Sequence, residues 1–407
     1  MARQVLIVGA GIAGVSLARE LAAHDDVEVT VLERDSAQPR GSTTFAPGFI
    51  GLYNDAVVLT DLARQSAAVY DEVPEGFQRP GGLELAVSEA GVTEVERRVD
   101  AAREAGLPAD LLSASELPAS VAAFVDSSPV LAAGSFPADG VASPTSLAHA
   151  LRAHATARGA RFLPGHLVVA VESRNGHPVV TTEDGNTFVA DDVVLASGVW
   201  GAGLAALTGL DLPLFPVAHP YVYSAPTTGL RAGPFVRWPE RHVYARVHTD
   251  RLGIGSYDHP PVLVQPEDLT GGAALNWDER FTDVITSAQH LLQPARRRAP
   301  EQRVNGVFAM TPDNLPFLGP HPALTGVWLA QALWVTHAAG AAHALSGAML
   351  DGTSLPSELA PDRFGHLDDP SKNDLKEAAL RLYRDIYAND GSDEPGCSLV
   401  RCRPFPD

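Results

Sequence analysis

Three glycines and one carboxylate near the start of the 407-residue chain have the types and the spacing to hold a dinucleotide. Gly9-x-Gly11-x-x-Gly14 follows the apolar run Val5-Leu6-Ile7-Val8 and leads into Val15 to Ala23, where Ala18 and Leu21 fall at helical spacing. Val27 to Glu33 then reads as a second strand that ends on an acid. In such a strand–helix–strand unit Gly9 permits the tight turn, Gly11 lets the backbone approach a pyrophosphate, and Gly14 lets helix and strand pack closely. The helix N-terminus offers unpaired N–H groups and the positive end of its dipole to the phosphates, while Glu33 accepts the ribose hydroxyls. A carboxylate there repels a 2′-phosphate, which argues against NADP and leaves NAD and FAD.

The elements that must carry this chemistry are spread along the chain. A small-residue loop, Gly41 to Gly48, follows the second strand, where backbone can come close to a bound ring. Ser143-Pro144 opens a helix running to Arg158. Short strands at Arg161–Leu163, Leu167–Glu172, Val179–Thr182 and Thr187–Val189 are separated by the turn signals Asn175-Gly176 and Asp184-Gly185. Val193 to Trp200 reads as a further buried strand of the nucleotide sheet. Residues 205–310 are richer in proline and short strands, which suits a smaller antiparallel domain. Strand signals at Leu315–Gly319 and Gly326–Ala330, then a glycine before the helix Ala341 to Leu350, return to the first domain. The fold class expected is α/β (α+β overall): a discontinuous Rossmann-type domain of residues 1–80, 140–205 and 311–365, and a mostly antiparallel β domain of residues 81–139 and 206–310.

Composition narrows the chemistry. A formal charge of −19 repels nucleic-acid phosphates and anionic membrane, so a small-molecule partner is expected. No apolar run approaches the roughly 18 residues that a membrane span needs, and Val5 to Ala23 contains Arg19 and Glu20 and lacks a basic leader, so a cytoplasmic enzyme is expected. Cys397 and Cys402, both near the end, supply neither a disulfide framework nor a metal site for the body. Lysine occurs only at Lys372 and Lys376, so no Schiff-base or P-loop lysine exists before residue 372.

In order along the chain, the glycine motif with Glu33, the Gly41–Gly48 loop, Pro80-Gly81-Gly82-Leu83-Glu84, Val217-Ala218-His219, Gly253-Ile254-Gly255-Ser256-Tyr257, Thr311-Pro312-Asp313 and Trp334-Val335-Thr336-His337 resemble FAD amine oxidoreductases of the D-amino-acid oxidase and glycine oxidase family. Over roughly residues 3–365 the chain resembles the flavin portion of dimethylglycine and sarcosine dehydrogenases and oxidases. The resemblance implies FAD, hydride transfer from the carbon beside the nitrogen of a glycine-like secondary or tertiary amine to flavin N5, and an iminium that water hydrolyses. It implies FAD contacts from Gly9, Gly11, Ile12, Ala13, Gly14, Glu33 and Arg34; from Gly41, Ser42, Thr43, Thr44, Phe45, Ala46 and Gly48; from Val169, Ser197, Gly198 and Trp200; and from Trp334, Thr336, His337 and Gly340. It also places His219 and Tyr244 toward the substrate. His219 is expected to bind the substrate carboxylate or take the amine proton, since imidazole ordinarily titrates near neutrality, and Tyr244 to orient the carboxylate. Tyr257 and His259 stand behind them. His337 either hydrogen-bonds the flavin or caps its helix.

Two departures refine the reading. Covalent members of the group carry a histidine in the Gly-Ser-Thr-x-His loop where this chain has Phe45, which has no nucleophilic atom, so the FAD is expected to be non-covalent. A folate-binding domain of longer relatives is absent from these residues, so the iminium is expected to hydrolyse. The electron acceptor is molecular oxygen or another acceptor, with an oxidase favoured and Arg246 or His248 standing in for a lysine near the flavin. The competing readings are a D-amino-acid or glycine dehydrogenase acting on a primary amine, and a catalytically quiet flavin-binding scaffold. Residues 366–388 read as a C-terminal helix with Leu375, Ala379, Leu382 and Ile386 on one stripe, followed by a mobile tail, 389–407.

Overall fold

The computed structural model describes residues 2–36 and 40–386; Cys397, Cys402 and the 389–407 tail lie outside them. Its first sheet has six strands in the order Phe317–Pro320, Val327–Gln331, Asp192–Leu195, Arg3–Val8, Val27–Glu33 and Arg161–Pro164. All neighbours are parallel except the first pair. Alternation along Arg3–Val8 explains why this strand is apolar throughout. Val5 and Ile7 face a core shared with the helices Ile12–Leu21, Val57–Tyr70, Pro144–Ala157 and Ala338–Asp351, whereas Leu6 and Val8 face the antiparallel meander Val168–Arg174, His177–Thr182 and Thr187–Val189. The strand expected over Val193 to Trp200 stops at Leu195, and Gly198–Trp200 forms a 3₁₀ turn, because Gly198 takes a left-handed φ of 57°.

The second sheet is larger and mostly antiparallel. From one edge its strands are Val262–Leu263, Phe215–Tyr223, Arg251–Ser256, Val243–His248, Phe235–Trp238, Gly82–Ala86, Ala132–Phe136 and Asp110–Ser113, with Gln302–Met310 also paired to Phe215–Tyr223. Only Phe235–Trp238 beside Gly82–Ala86 runs parallel. The helices Glu89–Glu104 and Arg280–Gln289 bury Val95, Val99, Phe281 and Ile285.

The C-terminal helix spans Asp369–Arg384, and the Asp368 carboxylate caps it by accepting from the Ser371 N–H at 2.9 Å. Its inward face differs from the expected stripe. Ala378, Ala379 and Tyr383 are buried, while Leu375, Leu382 and Ile386 are half-buried. Tyr383 is the residue that reaches the interior, in a cluster with Val217, Tyr221, Tyr244 and Tyr257.

Candidate active site

The glycines of the first turn have separate physical reasons. Gly9 sits at φ +112°, and a Cβ there would lie 2.4 Å from the Ala196 carbonyl oxygen; a Cβ on Gly14 would lie 1.9 Å from the Gly9 oxygen. Both are required by the fold. A Cβ on Gly11 would meet only the Thr43 hydroxyl, at 3.5 Å, so the protein itself leaves that position open. Glu33 is held in place by its own backbone surroundings, since its carboxylate accepts from the Ala10 N–H at 2.9 Å and the Asp35 N–H at 3.0 Å. The Gly41–Gly48 loop is fixed from both sides. Thr43 accepts from the Ile12 N–H at 3.0 Å, and Ser42 donates to the Val307 carbonyl at 2.7 Å.

These groups border a cavity of about 580 Å³. Of the expected cofactor contacts, Gly9, Gly11, Ile12, Ala13, Glu33, Arg34, Gly41, Ser42, Thr43, Phe45, Ala46, Ser197, Gly198, Trp200 and Trp334 line it. The Arg34 guanidinium lies 4.3 Å from the Trp200 ring and donates to the Thr270 carbonyl, which anchors the rim. An open backbone approach at Gly11, a helix N-terminus and a fixed carboxylate form a set that fits the pyrophosphate and ribose of a dinucleotide.

A second cavity of about 310 Å³ adjoins the first and shares Ala46, Pro47, Phe308, Ala332, Trp334 and Val335 with it. Gly48, Thr336 and His337 line this smaller space rather than the larger one. Thr336 donates to the Phe49 carbonyl at 3.1 Å; His337 begins the Ala338–Asp351 helix without a side-chain cap, and burial holds its imidazole down at about 4. Four of the expected cofactor contacts line neither cavity. Gly14 is spent on helix–strand packing. Thr44 is exposed. Val169 turns outward at 43 % exposure, while its neighbour Val168 lines the larger cavity, as strand alternation demands. Gly340 is a packing glycine: a Cβ there would lie 2.2 Å from the Leu62 oxygen, and its N–H donates to Ser66 at 2.8 Å.

His219 and Tyr244 join the two spaces. His219 lines the larger cavity and Tyr244 the smaller, and the Tyr244 hydroxyl is 2.6 Å from His219 Nε2. Register explains how they meet. Glu84, Arg237, Tyr244, Gly255 and Tyr221 stand opposite one another in a row across five strands. A Cβ on Gly255 would fall 2.5 Å from the Tyr244 ring and 2.8 Å from the Tyr221 ring, so the missing side chain is the space in which Tyr244 leans toward His219. Gly253 does the same for Tyr221, whose hydroxyl lies 2.8 Å from His248 Nε2. Tyr257 completes the box, 4.4 Å from the His219 ring.

The expectation that His219 titrates near neutrality is revised. Burial, with His259 nearby, pushes its imidazole well below the ordinary range, and both ring nitrogens are engaged by tyrosine hydroxyls, Nδ1 by Tyr383 at 2.7 Å. A neutral, doubly engaged imidazole does not anchor a carboxylate. Arg246 and His248 line neither cavity. The Arg246 guanidinium donates to the carbonyls of Pro47, Gly48 and Ala142, clamping the loop, and burial holds His248 down at about 3. Reading the sequence missed Phe308, Arg237 and Tyr383. The first lines both cavities. Arg237 borders the smaller one, where it pairs with the buried Glu84 carboxylate that Arg98 also holds at 2.9 Å. Burial pushes that carboxyl up, but Arg237 and Arg98 outweigh it and keep it below its usual range.

A family of proteins described as FAD dependent oxidoreductase matches residues 4–348. The chain belongs to this family. Among family relatives, human mitochondrial dimethylglycine dehydrogenase is 28 % identical over 386 residues, covering 89 % of this chain and 44 % of the relative. Glycine oxidase of Geobacillus kaustophilus (strain HTA426) is 28 % identical over 347 residues, covering 80 % of this chain and 86 % of the relative. 4-Methylaminobutanoate oxidase (formaldehyde-forming) of Paenarthrobacter nicotinovorans is 25 % identical over 405 residues, covering 95 % and 49 %. The chain thus spans less than half the length of the dimethylglycine dehydrogenases it matches. The fold is shared with the crystal structure of L-proline dehydrogenase from P. horikoshii, at TM-score 0.80 and 23 % identity over 90 % of this chain and 99 % of the other.

Proposed function

We propose that this flavoenzyme oxidises a C–N bond in an N-alkylated, amino-acid-like secondary or tertiary amine. The observation that carries the reading is the pair of adjoining cavities with a shared wall at Trp334 and Phe308, the larger built for a dinucleotide and the smaller for an organic molecule beside it. In this reading residues 1–80, 140–205 and 311–365 hold FAD, and 81–139 and 206–310 hold the substrate. FAD bound there supplies a two-electron acceptor for the hydride on the carbon next to nitrogen.

The protein's own groups do the rest. Tyr257, Phe308 and Trp334 exclude water and give the smaller cavity an aromatic wall. Arg237 and Arg98, paired with Glu84, also line it. At about 310 Å³ the cavity has room for an N-alkyl group beside an amino-acid backbone. Tyr244 stands where it can hold the amine proton or orient the substrate, with His219 behind it as acceptor. Phe45 on the wall of the larger cavity supports non-covalent retention of FAD. Molecular oxygen, or another acceptor, would take the electrons, with the oxidase reading favoured.

The test is the visible spectrum of the purified protein before and after acid precipitation, followed by anaerobic addition of N-methylated glycine or a D-amino acid. Yellow colour with the mass of FAD in the supernatant, and bleaching by the N-methylated amine, are the expected results. Colour in the pellet overturns non-covalent binding, bleaching by the D-amino acid alone overturns the substrate class, and slow recolouring in air overturns the oxidase assignment.

A further inference from the structure

We propose that Tyr383, on the C-terminal helix, and His259 extend the Tyr244–His219 pair into a one-way relay that takes a proton from the amine in the smaller cavity to the outer side of the second sheet. The proposal rests on the amine-oxidation reading above. Tyr383 lies outside residues 4–348, the span matched by the family, so the helix Asp369–Arg384 brings into the site a group that the matched span does not contain.

The polarity of the chain follows from its far end. His259 Nδ1 is 2.9 Å from the Pro260 carbonyl oxygen, which only accepts, so Nδ1 carries the proton and Nε2 of the neutral ring is a lone pair. That lone pair lies 3.1 Å from the Tyr383 hydroxyl, which also has the Ala218 carbonyl oxygen at 3.0 Å. Donation to His219 Nδ1 instead would leave both of these lone pairs facing the Tyr383 oxygen without a proton between them, so the hydroxyl donates to one of the two and its oxygen accepts from His219 Nδ1–H at 2.7 Å. His219 is therefore the Nδ1–H tautomer, and its Nε2 accepts from the Tyr244 hydroxyl at 2.6 Å. Every donor points away from the substrate cavity.

Hydride loss needs a free electron pair on the amine nitrogen, so an ammonium substrate must first lose a proton. In the relay the substrate N–H bond breaks and its electron pair stays on nitrogen. Tyr244 takes that proton as its own passes to His219 Nε2, the Nδ1 proton of His219 passes to the Tyr383 oxygen, and the Tyr383 proton passes to His259 Nε2. One proton moves, and nothing is oxidised or reduced. Burial makes His219 a poor place for a charge, so it conducts rather than stores. Burial also lowers His259, but its hydrogen bond to the Pro260 carbonyl and the carboxylates of Asp258 and Asp278 push the other way, with Arg280 opposing them. Asp258, Pro260 and Arg280 are exposed, which puts solvent next to the terminal group. Tyr383 is thus a positioning residue for His219 and a conduit to His259.

The experiment compares the FAD-loaded chain with Tyr383→Phe and His259→Phe. Both are followed by anaerobic bleaching with N-methylated glycine between pH 6 and 10, and by NMR of ¹⁵N-labelled histidine. Expected is a bleaching rate at saturating amine reduced about 10- to 100-fold near neutral pH in both variants, with half-saturation unchanged and the deficit closing as pH rises and the amine arrives already neutral. The unmodified protein should show His219 protonated at Nδ1 only. Equal rates for unmodified protein and Tyr383→Phe across the pH range overturn the relay, as does a uniform loss that does not close at high pH. If no amine bleaches even the unmodified protein, the functional reading fails on its own, and the tautomer still decides the polarity: an Nε2–H ring at His219 sinks it.

Discussion

The two cavities are built by different means. The larger takes its dinucleotide end from nearly contiguous chain: Gly9 to Gly14, the strand end at Glu33 and the Gly41–Gly48 loop follow within fifty residues, and the turn's backbone N–H groups donate to the Glu33 carboxylate and the Thr43 hydroxyl. The smaller takes its polar row, Glu84, Arg237 and Tyr244, from three strands that meet only through sheet register. A ligand common to many proteins can be held by backbone in a short motif. A particular substrate is read by side chains that the fold must first assemble.

Substitutions sharpen that contrast, and glycine gives the widest spread. Gly14→Ala forces a Cβ to 1.9 Å from the Gly9 oxygen and is expected to cost about 3–5 kcal/mol in urea unfolding of the FAD-free protein. Gly11→Ala should cost no more than about 1 kcal/mol there, yet weaken FAD binding about 100-fold by flavin-fluorescence titration. Comparable effects of both changes on stability would break the distinction between a glycine the fold needs and one the ligand needs. On the substrate side, Gly255→Ala should push Tyr244 off His219, lowering anaerobic bleaching by N-methylated glycine about 100-fold while FAD remains bound.

A buried acid behind the polar row gives a pH signature. Burial pushes the Asp139 carboxyl up to about 7, with the Leu52 N–H pulling it back and Arg237, Glu84 and Arg98 acting over distance. Its folded-state value lies above its ordinary 3.8, so its stabilisation is full below about pH 4 and is lost as pH rises through 7. Between pH 5 and 8 the unmodified chain should therefore lose about 2–4 kcal/mol that Asp139→Asn does not lose, as seen in urea midpoints. The smallest effect belongs to Val169→Thr, which should leave stability within about 0.5 kcal/mol and FAD binding unchanged, because its side chain faces solvent.

Legibility followed the same divide. The strand–helix–strand unit was readable because turn, helix and acid are adjacent in sequence and each has its own steric reason. At Val168 and Val169 the sequence does not show which side chain turns inward, since alternation is fixed by a meander register that no local signal states. Gly340 looked like a helix start aimed at a ligand, and only the packing of Ala338–Asp351 on Val57–Tyr70 reveals that Leu62 occupies that space. Gly253 and Gly255 were visible as a pattern, but their purpose, room for tyrosines from neighbouring strands, required the pairing. Tyr383 falls one position off the stripe of Leu375, Ala379, Leu382 and Ile386, and only the docking of the helix on the second sheet turns it inward.

The strand order of the first sheet also sets a timetable. The strand Arg3–Val8 lies between Val27–Glu33 and Asp192–Leu195, so one of its edges has no partner until roughly 180 further residues have been made, and the sheet is complete only once Gln331 has emerged. At about 5–20 residues per second, that edge stays open on the ribosome for on the order of 10–40 s, which gives chaperones and early FAD a window in which to act.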